Sequence, residues 1–291
     1  MIPRFTRARG RYLYDKTGRR YLDLHADDGR AILGHRPGTL TRHIKNSFEK
    51  GLLVSYPSRF TDSVLRAAQR VFPEYRYAAV YPTMPDALDA IAATRGRPVS
   101  YDDLSDPARD LACATARDLA CATARDLACD PARDLACDPA RDLACVWIIR
   151  PFLERPARAE IALPLLPFPG AFAPQLVVSQ TELPVGDNAP PPFLAGLRHS
   201  LSVFATLAPI EIEWPAVKTV FRQQGPYLCP VCSSEAYAAV FTRCLESGIL
   251  INPRYPRPSC AASEATRAER DAYAAAVSGQ KKGPNTTGEE R

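Results

Sequence analysis

Short-period alternation dominates the start of the chain. Residues 11–15 (Arg-Tyr-Leu-Tyr-Asp) and 20–24 (Arg-Tyr-Leu-Asp-Leu) alternate polar with aromatic or aliphatic side chains around Lys16-Thr17-Gly18-Arg19, which predicts a β-hairpin. The period then lengthens. Leu40, Ile44, Phe48 and Leu52 recur every four positions, as on one face of an amphipathic helix, and Val64, Leu65, Ala68 and Val71 line a second helix that stops at Pro73. Residues 78–81 predict a strand and 86–94 another helix. Near the other end, Ser233-Ser234 opens a helix carrying Tyr237, Val240, Phe241 and Leu245, which Gly248 closes. A short strand at 249–251 and a helix over 264–277 follow. Strands interleaved with helices predict a mixed α/β architecture.

Residues 161–178 run 18 positions without a charge, the length of a membrane helix. Pro164, Pro167, Pro169 and Pro174 argue against one, because each removes a backbone donor and costs about 3 kcal/mol inside a helix. A buried loop with short strands is expected instead, and no membrane span. Proline is abundant throughout, 28 of 291 residues, so long uninterrupted helices are not expected after residue 150.

From 106 to 145 the pattern becomes an exact-length repeat: five octapeptides, each ending Ala-Arg-Asp-Leu-Ala-Cys. Eight residues advance an α-helix by about 800°, so Leu111, Leu119, Leu127, Leu135 and Leu143 wind round the axis and form no core stripe. Asp106 and Pro107 suit a helix start, as N-cap and N1. A protruding insertion produced by duplication is expected. Five of the nine cysteines lie in it, at 113, 121, 129, 137 and 145. Helical neighbours eight apart stand about 12 Å apart, too far to share a metal or a disulfide. No metal site is expected there.

The net charge of +5 is spread along the chain and forms no basic block, so no nucleic-acid partner is expected. No secretory leader pattern opens the sequence, and a cytoplasmic location is the default expectation. Gly29 and Gly34 have the spacing of a phosphate-binding loop, but His35-Arg36 stands where Lys-Ser/Thr is required. Cys229-Pro230-Val231-Cys232 precedes a predicted helix, a position that lowers a thiol pKa, and is a weak redox candidate. The histidines at 25, 35, 43 and 199 have no metal-ligand spacing.

The run Gly10-x-Tyr12-Leu13-Tyr14-Asp15-x-x-Gly18-x-x-Tyr21-Leu22-Asp23, then Gly29-x-x-x-x-Gly34-His35-x-Pro37, resembles the N-terminal signature of class III aminotransferases, the pyridoxal-phosphate enzymes that include glutamate-1-semialdehyde aminomutase. The resemblance continues through Phe72-Pro73 and Val80-Tyr81-Pro82-Thr83 to Thr94-Arg95-Gly96-Arg97, and returns at Gly248-Ile249-Leu250-Ile251-Asn252-Pro253 with Pro258-Ser259. It implies a degenerate fold type I pyridoxal-phosphate-dependent transferase: a partial large α/β domain and a small α+β domain around a tandem-repeat insertion. The expected divisions are 1–50 (hairpin and helix), 51–105 (first part of the large domain), 106–145 (repeat), 146–225 (proline-rich remainder), 226–277 (small-domain segment) and 278–291 (disordered tail). A homodimer is implied by the resemblance alone.

The family's chemistry needs a lysine to hold the cofactor covalently, an aspartate at its ring nitrogen and a donor-rich turn for its phosphate. The matching turn here is Thr83-Met84-Pro85, where proline offers no N–H and only Thr83 still donates. Between 146 and 225 the one lysine is Lys218 and the one aspartate Asp187, neither in the family's motif. The expectation is therefore a non-catalytic aminotransferase-like protein without a cofactor. Two alternatives stand beside it: a pyridoxal-phosphate enzyme using Lys218, and an interaction protein that works through its octapeptide repeat.

Overall fold

The computed structural model describes residues 2–106, 108, 146–155, 159–215 and 217–279. The repeat beyond Ala108 and the tail from 280 onward lie outside them, and so do the expectations placed there.

The alternating N-terminal segment folds as the predicted hairpin. Strand β1 (Phe5–Arg9) pairs with β2 (Tyr12–Asp15), which pairs antiparallel with β3 (Arg20–Asp23) in the register Tyr12↔Leu22 and Tyr14↔Arg20. Gly10 and Gly18 make the two turns with φ of +57° and +83°, a region that glycine enters without Cβ strain. Helix α1 (Gly38–Phe48) and helix α2 (Arg59–Val71) follow. The first is shorter than its apolar period predicts. Gly51 turns the chain with φ +72°, leaving Leu52 outside the helix and 41% exposed.

A mixed sheet carries the larger core. Its order is β4 (Tyr77–Tyr81), β7 (Gln175–Ser179), β6 (Ile161–Pro164), β5 (Val146–Ile149), with β5 and β6 parallel and the other pairings antiparallel. The uncharged run 161–178 thus supplies two short strands, and every residue of both is buried. Helices cover both faces, which explains continuous apolar strands in place of alternating ones. Ala162, Leu176 and Val178 pack with Leu40, Val64, Ala68 and Leu197 on one side. Ile161, Leu163 and Val177 pack on the other with Ala87 and Ile91 of α3 (Met84–Arg95).

The proline-rich remainder departs from expectation. It contains α4 (Pro191–Phe204), 14 residues long and the longest helix among the described residues. Prolines 190, 191 and 192 sit at its N-cap and first turn, where the missing N–H has no intrahelical partner to lose. Clustered prolines here start a helix. Gly196 then lets α4 approach closely: a Cβ at that position would stand 2.9 Å from the Phe168 ring and 3.1 Å from Ile44. Gly196→Ala should therefore destabilise the fold by about 1 kcal/mol despite alanine's better helix propensity. A shift of the urea midpoint toward higher stability would refute this close approach.

A second core joins the two ends of the chain. Strand β10 (Ile249–Leu250) runs parallel to β3, and β8 (Phe221–Gln224), β9 (Tyr227–Pro230) and β11 (Ser259–Cys260) form a small antiparallel sheet. Helices α5 (Ser234–Glu246) and α6 (Arg267–Ser278) close it, with Phe221, Tyr237 and Tyr273 at its centre. No helix among the described residues is long and apolar enough to cross a membrane.

The chain enters and leaves the repeat at adjacent points, since Ser105 bridges Trp147 in parallel. The first residue of the repeat belongs to the core. Asp106 accepts from the Ala108 N–H at 3.1 Å, as an N-cap does, and its carboxylate takes two bonds from the buried Arg150, at 2.7 and 2.6 Å.

Candidate cofactor site

After β3 the backbone takes a turn that L-residues rarely adopt. Ala26, Asp27 and Asp28 have φ of +50°, +51° and +56°. Such a conformation costs free energy at each non-glycine position, and it persists only where the surroundings hold it. Here the neighbouring Asp23 and three distant segments do so. Asp23 Oδ1 accepts from the N–H groups of His25 and Ala26, at 2.9 and 3.1 Å. Asp27 Oδ2 accepts from the Gly170 N–H at 3.0 Å. Asp28 accepts from Asn252 Nδ2 at 2.8 Å and from Arg257 Nη1 at 3.1 Å, while its carbonyl accepts from Arg150 Nη1 at 2.9 Å. Gly29 completes the turn because a Cβ there would stand 3.2 Å from Arg150 Nη1, at a φ of +99°.

His35 of the N-terminal signature and the neighbouring His25 set the charge of this turn. His35 Nε2 lies 2.7 Å from Asp23 Oδ2, and His25 Nε2 lies 3.5 Å from Asp28 Oδ1. Burial raises the Asp23 and Asp28 carboxyls, but the bonds and charges of His35, His25, Asn252 and Arg257 outweigh it, and both end below the ordinary value. Burial opposes protonation of His25, yet the surrounding aspartates raise its pKa.

The turn faces the start of α3 across a cavity of about 310 Å³. Thr83, Met84 and Pro85, singled out from the sequence, all line it; so do Asp27, Asp28, Arg30, Tyr101, Arg254 and Arg257. Thr83 is the N-cap, and its N–H and hydroxyl both donate to Asp86 Oδ2, at 3.1 and 2.7 Å. The expectation that Thr83 remains free to donate is corrected, because a capping box inside the helix uses both of its donors. Cationic groups on the opposite wall remain available. Arg30 donates to Gln175 Oε1 at 2.7 Å, and neither it nor Arg254 has a carboxylate partner among the described residues. Arg257 is spoken for by Asp28 and Asp102, and lies 4.5 Å over the Tyr101 ring.

Other sequence candidates fall elsewhere. Lys218 is exposed in the turn before β8, next to the second core, and is not among the lining residues of the cavity. Asp187 lines a different hollow, beside β4 and the loop 183–189. Cys229 is buried in β9 and donates to the Ala108 carbonyl. Burial pushes its thiol up to about 12, the opposite of a reactive thiolate, so the redox reading of this pair loses its basis. The three arginines went unnoticed in the sequence, since Arg30, Arg254 and Arg257 come from segments more than 200 positions apart.

Solved structures with this arrangement of elements are transaminases. An omega-transaminase from Sphaerobacter thermophilus superposes with a TM-score of 0.60 and 14% identity over 96% of this chain and 90% of its own. N-acetylornithine aminotransferase from Stenotrophomonas maltophilia gives 0.58, with 15% identity over 96% of both chains. The chain has the fold of the pyridoxal-phosphate-dependent aminotransferases. In sequence, 65 residues are 38% identical to the [LysW]-aminoadipate semialdehyde/glutamate semialdehyde transaminase of Sulfolobus acidocaldarius, or 22% of this chain and 17% of that protein. A further 34% identity over 96 residues links 33% of this chain to 36% of an uncharacterized protein of Borreliella burgdorferi. The chain thus spans little more than a third, or less, of these curated relatives. No protein-family model matches it.

The class III resemblance read from the N-terminal signature agrees with these neighbours. The expectation of no cofactor does not. A transaminase solved with pyridoxal phosphate bound shares the fold at a TM-score of 0.60, and this aminotransferase fold points to pyridoxal phosphate rather than to none. The residues fit that group in part. Arg30, Arg254 and the Met84 N–H at the start of α3 suit its phosphate. No lysine among the described residues lines the cavity, so covalent capture does not fit.

Proposed function

We propose that this chain is an aminotransferase-like protein that holds pyridoxal phosphate reversibly and does not transaminate. The observation that carries the reading is the cavity between the 26–28 turn and the start of α3, with arginine at its wall and no lysine in its lining among the described residues. When bound, the cofactor supplies an electrophilic aldehyde and an electron-withdrawing ring. The residues present do other work. Arg30 and Arg254 attract the phosphate, and Tyr101 offers an aromatic wall held by Arg257. Among the described residues no lysine amine stands in the lining to carry the proton that amino transfer requires. A homodimer, implied by the family resemblance, belongs to the same proposal.

The test uses full-length protein and pyridoxal phosphate. Dialysis should show saturable binding that Arg30→Ala weakens about tenfold, the loss expected for one charge-assisted phosphate contact. Borohydride reduction followed by intact mass measurement should leave the polypeptide mass unchanged. A stoichiometric adduct mapped to one lysine, Lys218 above all, would overturn the proposal in favour of an enzyme.

A further inference from the structure

Three helices bring their polar faces to one trough on the side of the sheet opposite α3. Helix α1 contributes His43 and Ser47, with Lys50 just past its C-terminal end; α2 contributes Arg59, Ser63, Arg66 and Arg70; α4 contributes Arg198 and Ser202. Each set is spaced by three, four or seven residues, which places it on one helix face. They line two hollows, of about 410 and 430 Å³, that share Ser63, Arg66 and Arg198 and so run together.

The charge of this trough is uncompensated. No aspartate or glutamate lines it, and Lys50, Arg59, Arg66, Arg70 and Arg198 have no ion-pair partner among the described residues. Several arginines elsewhere do have a carboxylate partner, as in Arg20–Glu269, Arg95–Glu160 and Arg155–Glu74. Gathering five cations without an anion works against the folded state unless a ligand offsets them. A second observation points the same way. Ser47 at the trough wall is only 4% exposed, and its hydroxyl has no hydrogen-bond partner among the described residues. A buried hydroxyl without an acceptor is costly and rare in folded proteins.

We propose that this trough binds an oligophosphate, a diphosphate or triphosphate group that is free or forms the tail of a nucleotide. Several negative charges on one small ligand match five cations, and Asn46, Ser47 and Ser63 add neutral donors. The trough is of closed extent, whereas a nucleic-acid backbone calls for a stripe of cations continuing over the surface. The site is separate from the cofactor cavity and shares no lining residue with it.

Calorimetry of the full chain against sodium triphosphate and against ATP, at fixed ionic strength with sulfate as control, tests this. One saturable site is expected, and R66A/R198A should weaken it about 100-fold, about tenfold for each lost contact. Both positions are exposed on helices, so the variant should keep the wild-type circular dichroism. Arg267→Ala, which removes one charge on α6 away from the trough, should leave binding unchanged. Equal affinity for both probes assigns a free ion, and tighter ATP binding assigns a nucleotide; either result upholds the site. Absence of saturable binding to both probes overturns it, as does binding that survives R66A/R198A or tighter binding of a short single-stranded oligonucleotide.

Discussion

Arg150→Ala is expected to lower folding stability by about 3–5 kcal/mol, the range for breaking a buried ion pair from one side. The Arg150 side chain is 1% exposed and meets the Asp106 carboxylate with both Nε and Nη2, at 2.7 and 2.6 Å. Burial opposes its charge, but Asp106 outweighs burial and keeps the guanidinium protonated. Its third nitrogen donates to the Asp28 carbonyl, and the group lies 5.0 Å from the Tyr227 ring. Alanine would strand the Asp106 carboxylate in the core with the Ala108 N–H as its remaining hydrogen-bond donor among the described residues. It would also release one of the ties on the left-handed turn at the cofactor cavity. Urea unfolding measures the loss, and a value under about 1 kcal/mol would refute the importance of the pair. A second variant separates pairing from packing. R150M/D106L removes both charges at similar volume and should recover most of the stability that R150A loses.

That pair also marks where the sequence stops being informative. Asp106 reads as the cap of a duplicated unit, and nothing local links it to Arg150, 44 positions later across the repeat. The hairpin was legible because its signal is local: alternation fixes the faces of β2 and β3, and Gly10 and Gly18 meet a backbone need at the turns. The start of α3 was legible too, through Thr83 and Pro85, although the engagement of both Thr83 donors by Asp86 emerges only with geometry. Strand β1 was missed because Phe5–Arg9 is a charged edge strand with little apolar alternation. Helix α4 is not apparent from the sequence because the high proline content argues against long helices after residue 150, whereas Pro190, Pro191 and Pro192 stand at its start. The arginine stripe at 59, 66 and 70 was open to view at helical spacing, but its meaning depends on α4 bringing Arg198 beside it. Non-local assembly, and not weak propensity, accounts for most of what the sequence concealed.

Acid should unfold this protein through the same turn, with a loss on the order of 3 kcal/mol as pH falls from about 5 to about 2. Asp23 and Asp28 have pKa values lowered in the folded state from the ordinary 3.8. Their contribution is complete above that value and disappears as pH drops through the folded pKa, where the folded carboxylates must also take up protons. His25 works on the other flank. Its pKa is raised from 6.5, so its contribution is complete below that value and is lost as pH climbs past the folded pKa. Together they place maximal stability between the two ordinary values. His199 acts in the opposite sense: burial first, then His43, lowers its pKa, so it costs stability as pH falls below 6.5. A difference measurement isolates the turn from that background. Asp28→Asn suits it because asparagine tolerates a left-handed φ and removes the charge together with one of the two acceptors that meet Asn252 and Arg257. At pH 6 the variant should be about 2 kcal/mol less stable than wild type, and the gap should narrow progressively as pH falls below the ordinary carboxylate value of 3.8 toward the lowered folded pKa. Parallel stability curves across that range would show that Asp28 contributes no charge-dependent stability, and would remove the electrostatic account of how a strained backbone is held against the cofactor cavity.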